Sequence, residues 1–270
     1  MKKVFLAFLM VAVLMCVACT PSDLSDDVNS LESKSFDTNS FIENGYLSDK
    51  TVLFETSAVL ENGMTTNVYI IVDKDYAAKY WVDVNLYAQI SGKDVLHNVG
   101  NYESHSVADG KLLAYDIDGD GSDELLLNME ITGNGGTITC VYDYAENGFE
   151  KVYDFDDHTP QFKCENISER RVNVTSTKPA FSHTVFLSDI FGDNISNLTF
   201  DPDGVAQHTF YASADPIYDV SIKDGKIVCT MPLEIYTEYC FDVRQYLEYD
   251  ASHQQFIILG YEFVSINSAR

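Results

Sequence analysis

Five carboxylates lie within the segment Asp116–Glu124, with two glycines between them and an apolar run directly after. Carboxylates on alternate residues suit hard cations such as Ca²⁺, which take roughly six to eight oxygen ligands. Gly121 stands where such a loop turns sharply, because glycine adopts backbone angles that other residues avoid. The segment therefore predicts a structural Ca²⁺ site, and an ordinary acidic surface turn is the alternative. The predicted ligands are Asp116, Asp118, Asp120, Ser122 through its backbone carbonyl, and Glu124.

The residues after the loop decide which kind of Ca²⁺ loop this is. An EF-hand needs a Glu at its twelfth position and a helix on either side. Here the twelfth position is Leu127, and the chain continues through an apolar stretch of strand length that stops at Gly133. A strand is therefore predicted to follow the loop, which argues against an EF-hand.

The segment from Asp116 to Leu127 resembles the FG-GAP/VCBS repeat family. Blades of this family carry D-x-D-x-D-G-x-x-[DE] before a hydrophobic strand. Such blades also form the N-terminal region of integrin alpha chains. The resemblance implies Ca²⁺ bound in a β-hairpin loop of a propeller-like blade, here at 111–156. At the ninth loop position the family usually has Asp. Either Glu124 or its neighbour Asp123 is expected to supply this last acidic ligand.

The amino terminus has the features of a bacterial lipoprotein signal. Lys2 and Lys3 precede an uncharged apolar run that is too short for a spanning helix. The run ends at Ala18-Cys19, which resembles a lipobox and predicts cleavage after Ala18 and lipidation of Cys19. Residues 1–19 are thus a predicted signal peptide, and the mature protein is expected on the extracytoplasmic face, held to the membrane only by its lipid anchor. A simple secreted protein and an uncleaved anchor are the alternatives.

The next segment, 20–50, is rich in Ser and Asp and is predicted to be a flexible tether, because it has too few large apolar residues to fold alone. Residues 51–270 are then a β-rich domain. The chain has 17 basic and 42 acidic residues and a net charge of −25. Such a charge repels nucleic acid, so no nucleic-acid partner is expected.

The composition predicts a mainly β domain with antiparallel sheets. Tyr, Phe, Val, Ile and Thr are abundant, and turn dipeptides recur between apolar runs. The fold is predicted to contain one or more propeller-like blades with a Ca²⁺ hairpin loop, and a β-sandwich is the alternative. Helices are predicted only at 75–82 and 238–249. The predicted turns are Asn62-Gly63, Asp109-Gly110, Asn147-Gly148 and Asp224-Gly225.

Two further patterns leave alternatives open. The segment Asp189–Asn197 aligns with the acidic loop but lacks its second carboxylate and its turn glycine, so it is either a second, decayed loop or a surface turn. Four cysteines beyond the signal permit two disulfides in an exported protein, although buried free thiols are also ordinary. We expect at least one disulfide. The four are Cys140, Cys164, Cys229 and Cys240.

No motif for catalysis is present, since the six histidines form no metal-binding pair and neither a nucleophile elbow nor a P-loop occurs. The sequence therefore predicts no enzyme and no catalytic residues. It predicts a non-enzymatic surface lipoprotein that binds a protein, peptide or glycan, with structural Ca²⁺. The alternatives are a surface hydrolase that uses carboxylates and a structural component of the envelope.

Overall fold

A computed structural model describes residues 46–60, 63–131, 136–145, 148–155, 159–168, 171–188, 209–214, 216–235, 238–253 and 255–264. The predicted signal peptide, Cys19, most of the tether and the segment 189–197 lie outside these residues. Within them the chain is mainly β, in agreement with the sequence, and each of its four sheets is antiparallel and four-stranded.

The first two sheets follow chain order. Sheet 1 consists of β1 (Lys50–Val59), β2 (Thr65–Asp73), β3 (Trp81–Ile90) and β4 (Lys93–Glu103). Sheet 2 consists of β5 (Val107–Tyr115), β6 (Glu124–Ile131), β7 (Gly136–Ala145) and β8 (Gly148–Asp154). In each of them, every strand pairs with the next strand along the chain.

The other two sheets lie in the second half of the chain. Sheet 3 consists of β9 (Gln161–Ser168), β10 (Arg171–Thr177), β11 (Ala180–Phe186) and β12 (Thr209–Ser213), in the order β11-β10-β9-β12. Sheet 4 consists of β13 (Asp219–Lys223), β14 (Lys226–Ile235), β15 (Glu238–Asp250) and β16 (Gln255–Val264), in chain order. Short 3-10 turns cover Tyr46–Asp49, Tyr76–Ala78 and Ser104–Ser106.

Sheets 1 and 2 pack face to face, with β1 against β5 and β4 against β8. Alternate side chains of each strand point into the shared core, as the two-residue period of a strand requires. This core includes Val68, Ile70, Val84 and Leu86 of sheet 1 and Leu125, Leu127, Met129 and Tyr142 of sheet 2. Sheet 1 thus covers one face of the sheet that carries the acidic loop.

Sheet 2 is covered on its other face as well. Leu126 and Val141 belong to the core shared with sheets 3 and 4, so all residues of Glu124–Met129 are buried. Two hydrogen bonds stabilise the packing on this second face. Asn128 Nδ2 and Thr137 Oγ1 both donate to the Ile217 carbonyl, at 3.1 and 2.5 Å. Coverage on both faces explains why three consecutive residues of β6, Leu125, Leu126 and Leu127, are apolar.

Most of the predicted hairpins are confirmed. Paired strands lie on either side of Asn62-Gly63 and of Asp224-Gly225, and β7 pairs with β8, which begins at Gly148. Asn62 and Asn147 themselves lie outside the described residues. Four consecutive strands span the predicted blade. The turn predicted at Asp109-Gly110 is wrong, since both residues lie inside β5. Gly110 has φ of +148°, and a Cβ there would lie 2.2 Å from the Asn128 carbonyl oxygen, so it permits close approach of β6.

Both predicted helices are wrong. In the first, only Tyr76–Ala78 forms a 3-10 turn before β3 begins at Trp81. The second lies in β15, where Val243, Gln245 and Leu247 are buried and the residues between them are less so. This two-residue alternation fits a strand between β14 and β16, and such cross-strand pairing overrides weak helix propensity.

Two other expectations need correction. The folded region begins earlier than residue 51, because Leu47 is buried against Ile71 and Tyr87 at the end of the predicted tether. Cys140, Cys164 and Cys229 are buried and no disulfide joins any two of them, so the expected disulfide does not form among these three. The Cys240 side chain lies outside the described part of the chain.

Candidate metal centre

The acidic loop joins β5 to β6 in sheet 2, which is the place that the sequence predicts. Tyr115, the last residue of β5, pairs with Glu124, the first residue of β6, and so closes the hairpin beneath the loop. The ladder continues without interruption through Leu112 and Leu127. The loop therefore projects from a paired strand hairpin, of which β6 is buried from Glu124 to Met129, and this pairing fixes the positions of its two ends.

The structure brings three of the predicted ligands together. Asp116, Asp118 and Asp120 each offer a carboxylate oxygen, and these atoms lie within 4.8 Å of one another. Asp116 is half-buried, while Asp118 and Asp120 are exposed. Two negative charges at such a separation repel by roughly 3–4 kcal/mol at an effective dielectric near 20. A divalent cation among the three oxygens would replace this repulsion by attraction.

Backbone amides of the loop hold these carboxylates in place. Gly119 and Gly121 donate to the two oxygens of Asp116, at 2.8 and 3.1 Å. Asp120 N–H donates to Asp118 Oδ1 at 3.0 Å. Both glycines have positive φ, +81° and +95°, which favours glycine over other residues. The loop backbone is thus folded around its acidic side chains.

Ser122 is buried and is bonded to the third carboxylate. Its backbone N–H donates to Asp120 Oδ1 at 2.8 Å, and its hydroxyl donates to the same oxygen at 2.5 Å. These two bonds stabilise the ionised form and hold the pKa of Asp120 below its ordinary value. Asp120 is therefore kept as a carboxylate, which is the form that a metal ion requires.

Glu124 is the first residue of β6 and is 6 % exposed. Its Oε2 accepts a hydrogen bond of 2.7 Å from the Ile117 N–H. Burial raises the pKa of Glu124 to about 7 despite this bond, and the charges of Asp118, Asp143 and Asp120 raise it further. Asp118 is exposed, but partial desolvation of its carboxyl still raises its pKa, and the charges of Asp120, Asp116 and Asp143 raise this pKa further. The site therefore holds more negative charge than its surroundings compensate.

The geometry distinguishes the two residues that the sequence left open. Asp123 is bonded to sheet 1: its Oδ2 accepts from the Val59 N–H at 2.7 Å, and its own N–H donates to the Val59 carbonyl at 2.6 Å. Glu124, in contrast, interacts electrostatically with the acidic triad. Glu124 is not among the carboxylates whose oxygens lie within 4.8 Å of one another, but unlike Asp123 it has its pKa raised by the charges of Asp118 and Asp120, so Glu124 is the better candidate for the last acidic ligand.

Sequence reasoning missed two residues near this cluster. Asp143 follows Tyr142, which pairs with Leu125 on β6, so the register places Asp143 beside Glu124. Tyr249 of β15 has its pKa raised by burial and then by the charges of Asp118, Glu124 and Asp143. Neither residue belongs to a local motif, and strand register was the only signal that could have indicated Asp143.

The donor set suits a hard divalent cation. The grouped atoms are carboxylate oxygens, and among the described residues the group contains no His or Cys ligand. Oxygen ligands select ions such as Ca²⁺, Mg²⁺ and Mn²⁺ over the softer transition metals. The residues that are present therefore fit a cation of this class.

Comparison with known proteins assigns no family. Neither a scan against models of protein families nor a search of curated proteins finds a match to this chain. The FG-GAP/VCBS resemblance consequently remains an expectation based on the loop and the strand that follows it. No helix among the described residues has the length and apolar character needed to cross a membrane.

Proposed function

We propose that this chain is a non-enzymatic binding protein of the bacterial cell surface, anchored through lipidated Cys19 and stabilised by Ca²⁺ in the loop Asp116–Glu124. The observation that carries the proposal is the convergence of three carboxylates in a loop that joins two paired strands, β5 and the buried β6. The net charge of −25 accords with a soluble extracytoplasmic domain and with binding of cations.

Asp116, Asp118, Asp120 and Glu124 would hold the ion through carboxylate oxygens, and Ser122 through its backbone carbonyl. Water would complete a shell of roughly six to eight oxygens. When bound, Ca²⁺ supplies positive charge that cancels the repulsion within the loop. The protein's own part is to position the ligands, through amide donors at Gly119 and Gly121 and through the β5–β6 ladder.

The sheet arrangement supports the blade interpretation of the fold. Three of the four sheets are meanders in chain order. Sheets 1 and 2 stack so that their first strands meet and their last strands meet, as neighbouring blades of a propeller do. In such blades the connecting loops lie at the ends of the strands, and loops on a stable scaffold often carry binding residues. A β-sandwich of sheets 1 and 2 is the alternative interpretation.

One observation favours a hydrolase as the second candidate. A carboxyl with a pKa of about 7, as at Glu124, is typical of a general acid. Glu124 is nevertheless buried and bonded to the Ile117 N–H inside the loop. The metal role accounts for the same burial and the same raised pKa, because a buried carboxylate among like charges is what a cation would stabilise. We therefore place the binding protein first.

The metal proposal is tested by thermal unfolding of the full chain in EDTA, in millimolar Ca²⁺ and in millimolar Mg²⁺. An extracellular site with a Kd on the order of 10⁻⁴–10⁻³ M should raise the Tm by roughly 3–10 °C at about 10 mM Ca²⁺. Asp118→Asn should remove most of this increase. Glu130→Gln, an exposed acid on β6, is the matched control and should retain it. An equal Tm in Ca²⁺ and EDTA would refute the proposal.

The anchor is tested separately by metabolic labelling with a radioactive fatty acid in a bacterial host. The wild-type chain should incorporate the label and sediment with membranes, whereas Cys19→Ala should do neither. Labelling that persists in Cys19→Ala would show that the acceptor is another residue.

A further inference from the structure

An aromatic pair stands exposed at the start of β3. Trp81 is the only tryptophan of the chain, and its residue is 52 % exposed, while the adjacent Tyr80 is 67 % exposed. The two rings lie 5.3 Å apart at an interplanar angle of 87°. Large aromatic side chains contribute strongly to cores and interfaces because they remove much apolar surface from water. An exposed aromatic pair such as this one can bury its apolar surface against a ligand.

The pair is held in position by its neighbours. Tyr80 O–H donates to Glu103 Oε1 at 2.9 Å, and His105 Nε2 lies 2.8 Å from Glu103 Oε2. The backbone N–H of Ser104 donates to the Tyr80 carbonyl at 3.1 Å. Trp81 itself pairs with Glu103 in the β3–β4 ladder. The rings are thus presented from a defined position, so that binding requires little ordering.

A row of planar polar side chains continues from this pair along the outer face of sheet 1. Asp83 and Asn85 follow Trp81 at two-residue spacing on β3, and they pair with Asn101 and Asn98 on β4. Asn98 Nδ2 donates to Asn85 Oδ1 at 3.4 Å. At ~3.3 Å per residue, the row from Trp81 to Asn85 extends about 13 Å, which is longer than one sugar ring.

The chemistry of the row favours a neutral glycan. Hydroxyl groups both donate and accept hydrogen bonds, and carboxamides match them because each has two donors and an acceptor. A cationic ligand would meet the donors of three carboxamides, and both oxygens of Glu103 are already in contact with Tyr80 and His105. An anionic glycan would be repelled by a chain with a net charge of −25.

We infer that the outer face of sheet 1 binds a neutral polysaccharide, with a sugar ring stacked on Trp81 and its hydroxyls bonded to Asp83, Asn98 and Asn101. This inference rests on the proposed binding function and names its ligand class. It does not require the cation, because the row lies on β3 and β4 and the acidic loop joins β5 to β6. The two proposals can therefore fail independently.

Because Trp81 is the only tryptophan, its fluorescence reports on this surface alone. The full chain is titrated with cello-, malto-, chito- and manno-oligosaccharides and with an oligolysine, in Ca²⁺ and in EDTA. We expect saturable quenching or a shift of the Trp81 emission by at least one neutral oligosaccharide. Asn101→Ala and Tyr80→Ala should weaken this binding by about tenfold, which corresponds to about 1.4 kcal/mol. Trp81→Ala, followed by calorimetry, should abolish it.

Tyr218→Ala is the matched control, since this tyrosine is 48 % exposed and lies next to sheet 4, and it should leave the affinity unchanged. Absence of saturable binding to every neutral oligosaccharide, with a normal Tm, would overturn the inference, and so would binding of oligolysine alone. Glycan binding without a Ca²⁺ effect on the Tm would reject the metal proposal and keep this one. A Ca²⁺ effect without glycan binding would do the reverse.

Discussion

Asp123 and Val59 exchange two hydrogen bonds, one from the Val59 N–H to the Asp123 carboxylate at 2.7 Å and one from the Asp123 N–H to the Val59 carbonyl at 2.6 Å. These bonds connect the acidic loop of sheet 2 to the end of β1 in sheet 1. An ion in the loop would thus order a connection within sheet 2 and also brace the contact between two sheets.

Asp123→Ala should destabilise the chain in the presence and absence of Ca²⁺ alike. Loss of a hydrogen bond to a charged group costs ~1.5–3 kcal/mol, and the Val59 N–H would lose its acceptor. Asp123→Asn should cost much less, because the amide oxygen still accepts this bond. Denaturant unfolding of the three proteins in EDTA and in Ca²⁺ checks the prediction. It is contradicted if Asp123→Ala unfolds at the same midpoint as the wild type.

Gly121→Ala should weaken both the fold and the metal site. At φ of +95° an alanine is strained by roughly 1–2 kcal/mol, although nothing lies within 4 Å of the added Cβ. The loop would relax, and the hydrogen bond from the Gly121 N–H to Asp116 would lengthen. Unfolding in EDTA and Ca²⁺ titration by calorimetry measure the two effects. Gly136→Ala, at ordinary φ and with equal space, should change neither, and identical results for both variants would reject the backbone argument.

The parts of this fold that depend on neighbouring residues could be predicted from sequence. Asp224-Gly225 defines a hairpin because both residues adopt positive φ, as this turn requires locally. The spacing of Asp116, Asp118 and Asp120 likewise determines their convergence, since alternate residues of a tight loop point to one side. Nothing distant in the chain is needed for either result.

Features that depend on the packing of distant strands could not be predicted. The position of Asp143 beside Glu124 follows from the β6–β7 register, and the approach of Tyr249 follows from the packing of sheet 4 near the loop. The strand identity of residues 238–249 also depends on pairing with β14 and β16 rather than on local propensity. Exposure of Trp81 could not be distinguished from burial, because most aromatic residues in strands pack inside.

Asp73 should make the free energy of unfolding depend on pH under acidic conditions. Hydrogen bonds from Lys50 at 2.6 Å and from Lys79 at 2.5 Å lower the pKa of Asp73 to about 2. A lowered pKa means that the folded state binds this proton less readily than the unfolded chain does. The stabilisation is therefore complete above a pH of about 4 and is lost as the pH falls through about 2.

The measurement is urea unfolding of the wild type and Asp73→Asn at several pH values. The difference in stability between them should be constant above a pH of about 4 and should shrink towards a pH of about 2. Asp75 forms an ion pair with the same Lys79 at 3.3 Å, but it is more exposed than Asp73. Asp75→Asn should therefore change the stability less than Asp73→Asn does. A difference that does not change with pH would show that Asp73 acts through packing instead.

Glu124→Gln should have opposite effects with and without Ca²⁺. Without the ion, the ionised Glu124 is buried next to other acids, which is why its pKa is raised to about 7. Glutamine removes that charge and its amide oxygen can still accept the Ile117 N–H, so the variant should be more stable than the wild type in EDTA, by on the order of 1–3 kcal/mol at neutral pH. In Ca²⁺ the missing charge weakens the site, so the variant should become less stable than the wild type or lose its advantage.

Parallel thermal unfolding of both proteins in EDTA and in Ca²⁺ measures this crossover, and Glu130→Gln is the exposed control on the same strand. A Glu124→Gln protein that is less stable than the wild type by the same amount in both conditions would show that the carboxylate serves packing and not a cation.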